Sequence, residues 1–192
     1  KEVTYPDSAK TVYDMWKGKK NEPEIGNLGG GSDHLGFYTH IGIPSWGAGT
    51  GGVSIYHSSF DNYAFYTKFT DSTFIMGPMV EQIFGVAMLK LANNNTIPYS
   101  LSMYGHDSKI HFESLQKSLS QMPRVDTTFS FKHLISLADK LKVAGVECEK
   151  SLNNISGKNL DKINKILLSL EREWIDKEGN PFGSWYQSLY AS

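Results

Sequence analysis

The chain has 192 residues, of which 40% are hydrophobic and 20% charged, with a formal net charge of −1. This composition suits one folded domain with a full core, or two small ones, and is not that of a disordered segment. The near-neutral charge gives nucleic acid and anionic membrane surfaces no electrostatic hold, and a single cysteine, Cys148, excludes an internal disulfide.

Taken in chain order, residues 9–17 (AKTVYDMWK) suit a short helix, and KGKKNEPEIGN reads as an exposed loop whose lysines form a solvated face. HIGIPSWG reads as a short buried strand, cut off by proline and glycine. Residues 74–93 repeat apolar side chains at 76, 79, 80, 83, 84, 87 and 91, which predicts a core helix with Pro78 in its first turn. NNNTIPYS is a turn-rich connector, and the domain boundary is placed there. Beyond it, Phe112, Leu115, Leu119 and Met122 suit one helix; Leu134, Leu137, Ala138, Leu141 and Cys148 suit a second; Leu160, Ile163, Leu167, Leu170 and Trp174 suit a third. Three such helices describe a small bundle. The glycine clusters at 29–31 and 47–52 all precede residue 95, so the expected architecture is α/β over residues 1–95 and all-α over 96–192.

No run approaches the ~20 apolar residues of a membrane span. Lys1–Lys10 is polar and does not read as a signal peptide, so membrane attachment is expected only through a segment outside this chain. Asn94-Asn95-Thr96 and Asn154-Ile155-Ser156 are glycosylation acceptors and lean towards a secreted or lumenal setting.

Most chemistry-bearing residues have a bland reading. No HExxH or CxxC pair is present, and His106 and His111, five apart, do not share a helical face. His34 and His40 read as structural, and His133 as a surface or capping residue. LGGGSDH lacks the lysine of a phosphate loop and reads as a tight turn capped by Asp33. Cys148 has the helical spacing of a buried core thiol rather than a nucleophile. In YHSS, Ser58 and Ser59 follow His57 without a nucleophile elbow. Taken alone, His57 reads as structural like His34 and His40, because a metal needs three or four ligands and no local partner set is visible.

The order of motifs says more. YDMW, NLGGGSDHLGFYTHIGIPS, YHSSFDNY, LKLANNNTIPYSL and LEREWIDKEGNPFGSWYQSLYAS follow one another. This series resembles the C-terminal part of the glutamate carboxypeptidase II and transferrin receptor family, whose enzymes are di-zinc exopeptidases of the M28 type. The resemblance is tightest at residues 28–45, 55–63 and 171–192. It implies that residues 1–95 are the closing portion of a zinc-peptidase α/β sheet domain, and residues 96–192 a helical dimerisation domain, incomplete at its C-terminus. It also implies roles. His57 matches a zinc ligand, and Tyr56 matches a donor to the oxyanion formed when zinc-activated hydroxide attacks the peptide carbonyl. Gly31 and Ser32, in the loop Gly29–Asp33, would line the substrate cleft. Transferrin receptor lacks the histidine that this chain keeps, which favours the peptidase branch.

Two departures limit the implication. Where glutamate-preferring members carry arginines after the GIxS strand, this chain has Gly47 and Gly49, so folate or acetyl-aspartyl-glutamate substrates are not expected. The resemblance also places the other zinc ligands and the general-base glutamate ahead of Lys1, and a substrate-binding Lys-Tyr pair after YAS. The expectation is thus a piece of a zinc exopeptidase with two zinc ions per protomer in the intact parent. The parent would act on peptides, form a homodimer through its helical domain, and sit on the lumenal or extracellular side of the secretory pathway, vacuole or cell surface. The alternative is a non-catalytic receptor or vacuolar protein-sorting member of the same scaffold.

Overall fold

The computed structural model describes residues 3–28, 31–51, 54–122, 129–152, 155, 157–179 and 187–189. It divides into two compact units, residues 1–94 with 168–192, and residues 95–167.

The first unit opens with helix α1 (Val12–Lys17), begun by a capping box: Thr11 accepts from the Asp14 N–H, and the Asp14 carboxylate accepts from the Thr11 N–H. A π-helical turn, Gly36–Ile41, ends at Gly42, whose φ of 70° is the left-handed conformation open to glycine at no steric cost. A short helix α2 (Tyr63–Phe65) continues into a second π-helical turn, Tyr66–Thr70. Helix α3 (Met76–Asn93) is the long element of this unit. Met79 is buried, and Met76, Val80, Ile83, Phe84 and Ala87 are half-buried along the predicted face; Leu91 is exposed. The Trp46 ring stacks on Phe84, with centroids 4.4 Å apart.

The α/β expectation for residues 1–95 is wrong. Among the described residues there is no sheet, only isolated bridges between Thr4 and Thr11 and between Ile175 and Ser188. HIGIPSWG is not a buried strand. The π-helical turn takes His40 and Ile41, and residues 42–51 run on without regular structure. Ile43 and Trp46 stay 41% and 45% exposed. The reason is pairing. A strand is held by a neighbour's backbone, and no described segment offers this run a ladder. Pro44 has no N–H to give one, and Gly47, Gly49 and Gly51 supply no side chains to hold a register.

Residues 172–179 and 187–189 close back on the first π-helical turn. The Gln187 N–H donates to the Thr39 carbonyl at 3.0 Å, and the Asp176 N–H to the Gln187 carbonyl at 2.7 Å. The Thr39 hydroxyl donates to the Leu35 carbonyl at 2.7 Å, and Thr39 and Ser188 are both buried. At Gly42 an added Cβ would lie 3.1 Å from both Arg172 Cγ and Ile175 Cγ1, so this crossing is tight.

The second unit is built on helices α4 (Leu101–Gln121) and α5 (Lys132–Leu152), which pack on each other, followed by a 3₁₀ turn at Gly157–Asn159. Helix α6 (Leu160–Ser169) begins in this unit and continues as a 3₁₀ turn, Leu170–Trp174, beyond the division at Leu167. The α6 stripe is placed as its periodicity predicts, with Leu167 buried and Leu160 and Ile163 half-buried.

Of the expected stripes, Ala138 is buried and Leu134, Phe112 and Leu119 are half-buried, but α4 and α5 meet at glycines that the periodicity does not mark. An added Cβ at Gly105 would fall 2.3 Å from the Lys142 nitrogen, and one at Gly145 would fall 2.5 Å from the Ser102 nitrogen. The backbones touch through glycine, with Ala138 and Ser108 buried beside them. Leu137 and Leu141 are left 45% and 39% exposed. Cys148, expected in the core, is exposed on that same outer stripe.

Glu149 joins the two helices at one end. Its carboxylate accepts the Ser102 N–H at 2.8 Å, in the first turn of α4. That donation, with help from the Ser102 and Ser100 hydroxyls and the Leu101 N–H, holds its pKa below the ordinary glutamate range. Asn164 fastens α6 to the connector, its side chain accepting from the Ile97 N–H at 3.0 Å and donating to the Asn95 carbonyl at 2.8 Å.

The glycines of this chain are therefore expected to respond oppositely to alanine. Gly105→Ala forces backbone against backbone and should destabilise by about 3 kcal/mol or more. Gly85→Ala, on α3 with nothing within 4 Å of the added carbon, should stabilise by about 0.5–1 kcal/mol. Urea unfolding of the two variants measures both.

Candidate functional site

YHSS sits on a turn at the surface of the first unit. The Ser58 N–H donates to the Ile55 carbonyl at 3.0 Å, the Asp61 N–H to the Ser58 carbonyl at 3.1 Å, and the Tyr56 N–H to Ser54 Oγ at 3.3 Å. His57 takes φ = 62°, a left-handed conformation that histidine adopts more readily than most residues but still at a cost. Its ring stacks on Tyr56 with centroids 3.8 Å apart and planes 21° from parallel. Both side chains are exposed, Tyr56 to 72%. Among the described residues nothing hydrogen-bonds the Tyr56 hydroxyl or the His57 imidazole.

Gly31 and Ser32 are exposed just ahead of the first π-helical turn, where the Leu35 N–H donates to the Ser32 carbonyl at 3.0 Å. A Cβ at Gly31 would meet nothing within 4 Å. Gly29 and Gly30 of the same loop lie outside the described residues, as do Gly52, Asn154, Ser156 and the tail 180–186. Among the described residues, no hydrogen bond or ring contact joins Gly31 or Ser32 to Tyr56 or His57.

The donor set does not fit a metal by itself. A zinc site needs three or four ligands from His, Cys, Asp or Glu, and among the described residues no group of three could hold an ion. His57 is a single candidate ligand. Among the described residues no helix is long and apolar enough to cross a membrane.

A residue that the sequence analysis passed over, Asp71, organises the neighbouring chain. It is buried. One carboxylate oxygen accepts the Ile75 N–H at 2.9 Å; the other accepts those of Met76 at 3.0 Å and Gly77 at 3.1 Å, and the Tyr66 hydroxyl at 3.1 Å. These are the free donors at the start of α3, and the next residue, Pro78, has no N–H to satisfy. Burial pushes the Asp71 carboxyl up, but the three N–H groups and the Tyr66 hydroxyl outweigh it and hold the pKa below the usual carboxylate range. The same bond raises that of Tyr66. The signal was an acidic residue shortly before an apolar run with proline in its first turn, although Asp71 lies further upstream than an N-cap normally does.

Two cavities adjoin residues 49–51. One, of about 770 Å³, is lined by α1, α3 and residues 47–51. The other, of about 560 Å³, is lined by residues 49–51, Ser54, the second π-helical turn, Asp71 and the start of α3.

Comparison with known proteins supplies the class. No family model matches the chain. Its relatives are named as peptidases. A probable glutamate carboxypeptidase, LAMP1, of Arabidopsis thaliana is 29% identical over 98% of the chain. A probable glutamate carboxypeptidase of Arthroderma benhamiae is 28% identical over 100% of the chain. Aminopeptidase NAALADL1 of Rattus norvegicus is 24% identical over 98% of it. The chain is thus similar to proteins named glutamate carboxypeptidase and NAALADL1 along nearly all of its length, in agreement with the motif order. It spans 28% of the length of each of these three.

The Asp71 geometry fixes a sign. A carboxyl held below its unfolded value adds stability that is full above about pH 4 and is lost as pH falls through the lowered folded value. Thermal midpoints should therefore be flat from pH 7 to about 5 and drop below about pH 4. Asp71→Asn should lower the midpoint at neutral pH by about 2–6 °C and flatten the acid limb, as a pH series of melting curves will read.

Proposed function

We propose that the chain is part of a zinc-dependent exopeptidase, in which His57 supplies one metal ligand and Tyr56 donates a hydrogen bond to the oxyanion of the attacked peptide carbonyl. Gly31 and Ser32 line the substrate cleft in this reading. One observation carries it: His57 is exposed in a strained left-handed conformation, stacked on Tyr56, with no part in holding the fold. Backbone strain persists where function retains it, and a neutral hydroxyl aimed at developing charge stabilises a transition state more than a ground state. The peptidase names of the relatives support the same class.

We further propose a homodimer built through α4 and α5, on the lumenal or extracellular side of the secretory pathway, vacuole or cell surface. The exposed stripe of Leu137, Leu141 and Cys148 on α5 supports the dimer, because an apolar helical stripe facing water favours a partner. Residues 1–95 then belong to the peptidase part and residues 96–192 to dimerisation.

The test is zinc content per protomer of the intact protein, by elemental mass spectrometry, beside peptide hydrolysis. About two zinc ions are expected, as in sites that clamp both oxygens of the reaction. His57→Ala should lower the zinc content and abolish hydrolysis. Tyr56→Phe should keep the zinc and lower kcat by about 10²–10³-fold. An intact protein without zinc overturns the peptidase reading in favour of a non-catalytic receptor or sorting role.

Strain and function separate in one more variant. His57→Gly should remove hydrolysis yet raise the unfolding free energy of the chain by about 0.5–1 kcal/mol, as a urea titration measures.

A further inference from the structure

We infer that the 560 Å³ cavity beside residues 49–51 binds a neutral apolar or aromatic side chain of a peptide, and rejects charged ones. Calling that peptide a substrate rests on the peptidase reading; the binding itself does not. The volume lies within the range of about 300–1,000 Å³ typical of ligand sites, which combine apolar walls with a few fixed polar groups. Here Tyr66, Phe69, Met76 and Val80 supply the walls. Phe69, one of these lining residues, is 68% exposed. Gly49, Thr50 and Gly51 also line it, and a Cβ at Gly49 or Gly51 would meet nothing within 4 Å, so these positions leave room. Ser54 ties the cavity to the turn of the candidate site, because its hydroxyl accepts the Tyr56 N–H.

Charge selection follows from Asp71. It is the sole ionisable carboxylate among the described lining residues, and no lysine, arginine or histidine is found with it. An acidic side chain entering here would lose water, face a like charge and find no cation, a combination that burial makes costly. A basic side chain fares little better. A carboxylate offers about four acceptor positions; Oδ2 of Asp71 already takes three donors and Oδ1 one, so a basic side chain would give up its water for a single remaining acceptor position. An apolar or aromatic side chain needs none of these groups and gains from leaving water.

The experiment measures binding to this chain by ligand-observed NMR. The probes are N-acetyl-phenylalanine amide, N-acetyl-glutamate amide and N-acetyl-lysine amide, which differ only in the side chain. The phenylalanine compound should bind about tenfold tighter than either charged one. Phe69→Ala should erase that preference, and since Phe69 is largely exposed the fold should survive the change. Phe60→Ala, which removes an aromatic of similar exposure that does not line the cavity, should leave the preference intact. Equal or tighter binding of a charged compound, no binding of any, or equal loss in both variants overturns the inference. Because no hydrolysis is measured, failure here is distinct from failure of the zinc and activity test.

Discussion

The contact of α4 with α5 at Gly105 and Gly145 is the constraint from which the second unit follows. Two helices whose backbones touch leave no room for a leucine layer between them, so the face that meets is chosen by smallness rather than hydrophobicity. Once Ala138 and Gly145 face α4, Glu149 comes round to the first turn of α4 and takes the Ser102 N–H. Leu137, Leu141 and Cys148, one step round the helix, are turned outward by the same choice. A single geometric demand thus sets the pairing, the cap and the outer apolar stripe.

The first unit is held in a different way. Val3 and Met79 are its buried hydrophobic side chains among the described residues, and polar backbone closures do much of the rest. Asp71 gathers the open end of α3 together with Tyr66. Thr39 and Gln187 join two segments that the sequence sets almost 150 positions apart. Those segments, GFYTHIGIPS and the run from LEREW to the chain's end, are two of the stretches in which the family resemblance is tightest. Among the described residues they meet where the Gln187 N–H satisfies the Thr39 carbonyl.

Legibility in the sequence followed the kind of force involved. Helix α3 and the α6 stripe were readable, because solvent exposure varies with a period of 3.6 and apolar residues record it. The faces of α4 and α5 were not, because periodicity favoured the leucines, and glycine contact leaves no hydrophobic signal. Cys148 was misplaced for that reason. The strand at 40–46 was misread because a short apolar run shows that a segment is able to pair, not that a partner stands beside it. Glu149 has no local signature at all, its partner lying 47 residues away in sequence. For the site, YHSS is what drew the reading to Tyr56 and His57, but the left-handed turn at His57 is a backbone property that no side-chain pattern announces.

The polar residues of the first unit fall into two sets. Asp71 and Thr39 are buried and bonded to nearby backbone, so losing either leaves groups unpaired inside the protein. Tyr56 and His57 are exposed and, among the described residues, bonded to nothing through their side-chain polar atoms, while His57 takes a left-handed backbone conformation. Asp7 and Phe74 also take positive φ, both 55°, and glycine at position 57 would take φ = 62° without steric cost. The strain is local, on an exposed turn that the Ser54 and Ser58 hydrogen bonds keep in shape. Asp71 and Thr39, each within twenty positions of His57, serve the fold, while Tyr56 and His57, on the turn at 55–61, stand exposed.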